Sequence, residues 1–132
     1  MEAPMHPLAA LILLLASPAA ALDGAGFDAA VTGQTLQWQS EGRPYGAEQY
    51  LPGRRVIWQF EGGPCQYGTW SAPEPERICF DYEHGGESQC WRFQANDTGL
   101  SAEFLGFGQG RRLTEASRST APLSCPGPGV GV

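Results

Sequence analysis

The chain has 132 residues, and its eight Lys and Arg against 14 Asp and Glu leave a formal net charge of −6. All eight cations are arginines, and no basic cluster is available to hold a phosphate backbone, so no nucleic-acid partner is expected. The absence of lysine beside 18 Gly and 11 Pro fits a GC-rich bacterial genome better than any functional demand.

Residues 8–16 form one apolar run bounded by Pro7 and Ser17 and followed by Ala19-Ala20-Ala21. This is the pattern of a secretory signal with cleavage before Leu22. The run is about half of the ~20 apolar residues that a spanning helix needs, so no stable membrane insertion is expected after cleavage. Glu2 stands where a basic residue is usual, and a start at Met5 would remove it. The sequence therefore divides into a signal peptide (1–21), an antiparallel β domain (22–121) and an irregular Pro/Gly-rich tail (122–132), with a periplasmic or secreted location. The mature part has the size of one domain.

Cys65, Cys79, Cys90 and Cys125 all lie in that mature part. An even number of cysteines in a short exported chain predicts two disulfides. None of the spacings gives the close ligand pair that a zinc site uses, and His84 is the single histidine after residue 21, so no metal and no cofactor is expected.

In chain order, residues 27–32 predict a short helix ended by Gly33. Residues 34–40 then alternate, with Leu36 and Trp38 on one side, as a half-buried strand does. Residues 42–46 read as a turn. Residues 47–51 and 54–60 flank Pro52-Gly53, and a two-residue turn there sets Tyr50 opposite Arg55. Val56, Trp58 and Phe60 then share one face, while Glu48, Tyr50, Arg55 and Ile57 share the other. Residues 65–70 make another strand, broken by Pro73 and Pro75 in a loop over 71–76. Residues 77–83 and 89–94 form a hairpin in which Cys79 faces Cys90, close to disulfide distance. That bridge leaves Cys65 to tie down Cys125. Asn96-Asp97-Thr98-Gly99 is a turn, and strands follow over 100–104 and 111–116. About eight short strands with turns every 8 to 12 residues predict an all-β antiparallel meander, barrel or sandwich with a short N-terminal helix.

The run Glu48-Gln49-Tyr50-Leu51-Pro52-Gly53-Arg54, with Gly68-Thr69-Trp70, Ile78-Cys79-Phe80-Asp81-Tyr82 and Gln89-Cys90-Trp91-Arg92-Phe93, resembles small exported alphaproteobacterial proteins of a domain-of-unknown-function family. The resemblance covers roughly residues 33–93. It implies export and β structure and supplies no activity.

No catalytic constellation stands out. His84 sits beside Gly85-Gly86 at an expected hairpin tip, and Asp81, Glu83 and Glu103 are spaced like ordinary surface charges. The glycines at 106, 108 and 110 lack the pattern of a phosphate loop. The expected function is thus a non-catalytic binding or interaction module whose partner is an envelope protein or a small ligand. A structural or envelope-stress protein and an inhibitor of an envelope hydrolase, with 71–76 as its projecting loop, are the alternatives. The four tryptophans are assigned to the core. Tyr50 and Arg55 are the candidate binding residues, as a cross-strand pair on the outward face.

Overall fold

The computed structural model describes residues 2–14, 20–108 and 110–125. Among these residues one helix, α1 (Gly24–Val31), precedes eight strands: β1 (Thr35–Ser40), β2 (Arg43–Leu51), β3 (Arg55–Phe60), β4 (Cys65–Glu74), β5 (Arg77–Tyr82), β6 (Gln89–Asn96), β7 (Gly99–Phe104) and β8 (Arg112–Ser119). Each strand pairs antiparallel with the next, and β1 pairs with β8, which closes an up-and-down barrel. Closure removes every free sheet edge. The interior phase of the strands carries Leu36, Trp38, Tyr50, Val56, Trp58, Trp70, Ile78, Phe80, Trp91, Phe93, Leu100, Ala102 and Leu113, all buried. All four tryptophans are among them, as expected.

The helix begins one turn earlier than the pattern predicts, because the Asp23 carboxylate accepts from the Gly26 N–H as an N-cap. It ends at Thr32, and Gly33 follows with φ of 84°, the left-handed position that favours glycine. Phe27 and Val31 are fully buried, so α1 is a plug in one end of the barrel. Phe27 is the centre of an aromatic cluster, with ring centroids 5.0 Å from Trp70, 5.6 Å from Tyr50 and 4.5 Å from Phe93.

Three local expectations are corrected. The turn read over 42–46 is only Glu41-Gly42, both with positive φ (51° and 76°) as a two-residue primed turn requires, and β2 starts at Arg43. Pro44 fits inside β2 because it lies at a register shift, where a missing N–H is tolerated. Pro73 does the same at the shift between Ser71 and Glu74, so β4 runs on to Glu74 and only Pro75-Glu76 of the expected 71–76 loop remains as the turn into β5.

The third correction concerns faces. Leu51 pairs with Arg55 and Tyr50 with Val56, so the β2–β3 loop has three residues, Gly53 and Arg54 both with positive φ (78° and 59°). Proline cannot adopt the positive φ that a two-residue primed turn starts with, and the extra residue Arg54 restores the strand twist. The one-residue shift moves Tyr50 and Glu48 from the outer face to the interior beside Val56 and Trp58, while Arg55 stays outside. Tyr50 and Arg55 are therefore on opposite faces.

Both disulfides join the expected partners. Cys79–Cys90 has Cα atoms 4.0 Å apart on the outer face of β5–β6, a seam of only three residue pairs. Cys65–Cys125 straps the segment after β8 across the outside of the barrel, where the Leu123 N–H also donates to the Gln49 side chain. Ala21 bridges to Gln94, and the Leu22 N–H donates to the Phe93 carbonyl at 2.8 Å. Residues 2–14 have neither helix nor strand, and Leu8, Leu11, Ile12 and Leu14 are exposed. The expected signal residues 15–19 and the tail beyond Cys125 lie outside the described residues. Among the described residues no helix is long and apolar enough to cross a membrane.

Candidate functional site: the open end of the barrel

The turns between β2 and β3, β4 and β5, and β6 and β7 surround the α1 plug. The opposite end is framed by the β1–β2, β3–β4, β5–β6 and β7–β8 connections and has no plug among the described residues. Beneath it lies a cavity of about 50 Å³, lined by Trp38, Tyr45, Glu48, Trp58, Phe60, Gln66, Tyr82, Gln89 and Trp91 among others. That is room for several water molecules, each of which needs ~10–15 Å³.

Two glycines shape this space. A Cβ on Gly46 would lie 2.5 Å from Trp58 Cζ2, so its absence lets the indole lie across β2. A Cβ on Gly68 would lie 2.3 Å from the Asp81 carbonyl oxygen and 2.8 Å from Tyr82 Cδ1. Gly68 pairs with Tyr82, and the missing side chain lets that ring lean into the barrel. Tyr45, Trp58 and Phe60 contact one another at the rim with centroids 5.2–5.8 Å apart.

Glu48 is the one charged-type side chain in this lining, and it is 2 % exposed. Its two oxygens share a single donor, the Tyr82 hydroxyl, at 3.1 Å each. No ion pair among the described residues includes it. Burial therefore dominates and pushes its pKa from 4.5 to about 8, with the Tyr82 hydrogen bond opposing in part. Burial and the nearby Glu48 also raise Tyr50 and Tyr82, which stay neutral.

The sequence reasoning missed Glu48 as a site residue because the slipped register put it outside. Its signal was present in the alternation Gly46, Glu48, Tyr50 opposite Trp58. Of the residues weighed from sequence, His84, Asp81 and Glu83 are exposed, and Glu103 pairs with Arg92 at 3.7 Å outside the barrel. Tyr50 lines the cavity, whereas Arg55 lines a separate groove of about 350 Å³ over β3–β5 with Tyr67 and Asp81. The structure does not bring the two together. Among the described residues no cluster of His, Cys, Asp and Glu is placed to hold a metal.

Comparison with family models, with curated proteins and with solved structures gives no match. What the open end can do follows from its own side chains. A pocket walled by aromatic faces, with a few polar groups converging on it, is suited to enclosing a small guest. A lone carboxyl with no second acid or nucleophile beside it offers one polar anchor.

Proposed function

We propose that the chain is an exported binding module, periplasmic or secreted, that takes a small guest into the open end of its barrel. The observation that carries this reading is the buried Glu48 carboxyl in an aromatic cavity with only the Tyr82 hydroxyl for company. A carboxyl that serves stability alone is normally exposed, paired or fully hydrogen-bonded. Export is supported by the two disulfides.

The indole N–H signals of the four tryptophans test the binding reading. Titration of the isotope-labelled protein with a panel of water-soluble fragments, read by NMR, should find compounds that shift Trp38, Trp58 and Trp91 together. Trp70, which is outside the cavity lining, should stay still. A panel with no such compound, or shifts confined to the outer surface, overturns the reading. Intact-mass measurement of protein recovered from the periplasm or the medium should show a chain beginning at or near Leu22, and full-length chain in the cytosol would refute export.

A further inference from the structure

Resting on the binding reading above, we infer that the guest is a small organic cation, an ammonium or methylated ammonium compound, held by the Glu48 carboxylate and the faces of the surrounding aromatic rings.

Charge is the first reason. The cavity lining contains one acid and no Arg, Lys or His, and its remaining polar groups are tyrosine hydroxyls, indole N–H groups and the amides of Gln66 and Gln89. Ring faces are negative, so rings and carboxylate favour the same sign of guest. An anion would meet no positive group in the lining itself, and Arg111 at the rim is already turned to the ring and hydroxyl of Tyr45. A neutral apolar guest would gain nothing from a buried carboxyl.

Hydrogen-bond capacity is the second reason. A carboxylate accepts at about four sites, and Glu48 is served by one hydroxyl split between its two oxygens. The titratable groups facing it are Tyr82 from β5 and Tyr50 from its own strand, both neutral, while β1, β3 and β6 present Trp38, Trp58 and Trp91. Arg111, beside the rim, is engaged with the Tyr45 hydroxyl at 2.7 Å, and Arg118 pairs with Glu115. Among the described residues no cation reaches Glu48, so the counter-charge of its ionised form is one that a bound guest can supply.

Geometry is the third. Tyr45, Trp58 and Phe60 are set at steep angles to one another, 49° to 90° between ring planes, which makes a concave aromatic corner above the carboxyl rather than a flat stack. Such corners hold methylated ammonium groups, whose methyls meet the ring faces while any remaining N–H can reach the carboxylate.

Proton balance follows. In the empty site at neutral pH the carboxyl keeps its proton, and a bound cation turns it into a carboxylate while one proton passes to solvent. Affinity should therefore rise with pH to about 8 and then level.

Tetramethylammonium, tert-butanol and pivalate have similar bulk and differ in charge, and they serve as the probes. Tetramethylammonium should shift the Trp38, Trp58 and Trp91 indole signals saturably, bind at least about tenfold tighter at pH 8 than either of the others, and release protons in calorimetry across buffers of different ionisation enthalpy. Glu48→Gln, which keeps the shape and the Tyr82 contact, should weaken it about tenfold or more and abolish both the proton release and the pH dependence. If tert-butanol or pivalate binds as well as tetramethylammonium, the cation assignment fails while the binding reading stands. If none of the three binds, the assignment also fails, and the fragment panel alone decides the binding reading. Wild-type affinity in Glu48→Gln overturns it too. Should that variant fold poorly, the wild-type pH profile stands in, and a flat profile between pH 6 and 9 overturns the assignment.

Discussion

The two ends of the barrel each hold a carboxyl out of water, and they treat it in opposite ways. At the plugged end, burial works against the charge of Glu115, but the Arg118 guanidinium and the Leu100 N–H, 2.7 Å from Oε2, together hold its pKa below the usual value. Arg118 also donates to the Ala30 carbonyl in the last turn of α1, so this ionised pair fastens the plug to the wall. At the open end, Glu48 has one neutral partner and burial wins. The difference shows which end is finished by its own chain. Glu115 has its partners supplied by β7 and β8, whereas Glu48 leaves acceptor capacity unfilled in a cavity that opens outward.

The largest effect should come from breaking the finished end. Phe27→Ala removes the ring around which Tyr50, Trp70, Phe80 and Phe93 are arranged, in a site with no exposure. Denaturant unfolding should show a loss of about 3 to 5 kcal/mol, the range for an aromatic core truncation. A loss below about 1 kcal/mol would mean that α1 is a loosely seated cover and that both ends are open.

Next is the pH dependence of stability, where the two carboxyls act in separate windows. The folded pKa of Glu48 is raised from 4.5 to about 8, so the folded state holds the proton more tightly, and stability falls as pH rises from about 4.5 and levels above about 8. Between pH 4.5 and 7 the loss is on the order of 3 kcal/mol at ~1.4 kcal/mol per pH unit. Glu48→Gln should remove this slope and be more stable than the wild type at pH 8. Glu115 is depressed, so its contribution is complete above its unfolded value and disappears as pH falls below it. Unfolding curves from pH 3 to 9 on the wild type and Glu48→Gln check the assignment. A slope that survives the substitution would place the titrating group elsewhere.

Glu115→Gln sharpens the same contrast with a smaller effect. It keeps an acceptor for Leu100 but loses the charge on which Arg118 closes, so about 1 to 2 kcal/mol should be lost at pH 7 and little at low pH. An equal loss at both pH values would show that Glu115 is valued for its shape and not its charge.

The same contrast explains what was legible in the sequence. At the closed end Gly33 marks the end of α1 locally, while the Asp23 cap lies outside the pattern that predicts the helix, and the Cys79–Cys90 hairpin toward the open end is legible because its cysteine spacing fixes the register independently of the turn. The open end depends on the β2–β3 register, and that was set by the backbone of residues 52–54. Because side chains alternate with a period of two, one extra loop residue turned Glu48 and Tyr50 inward and left Arg55 outside. Closure through β1 and β8 had no local signal, since it joins the two strands farthest apart in the chain. Pro44 and Pro73 signal breaks in the sequence because proline cannot donate to a ladder, and only the register shifts beside them make them tolerable.

The smallest expected effects set two cations against each other. Arg54 lies 4.5 Å over the ring of Trp70 at the plugged end, and Arg111 lies 5.6 Å from the Tyr45 ring at the open rim while donating to its hydroxyl. A cation over a buried indole at short range contributes about 0.5 to 1 kcal/mol, so Arg54→Ala should lower stability by that amount without touching the cavity. Arg111 is exposed and farther from its ring, and Arg111→Ala should change unfolding by less than about 0.5 kcal/mol. Its effect should fall on access instead. A positive rim opposes the approach of a cation, and rim charges act mainly on association rates. Stopped-flow Trp fluorescence should therefore show faster tetramethylammonium association in Arg111→Ala than in Arg54→Ala or the wild type, with a difference that shrinks as salt is added. If Arg54→Ala speeds association and Arg111→Ala does not, the guest enters past α1, and the assignment of open and closed ends is reversed.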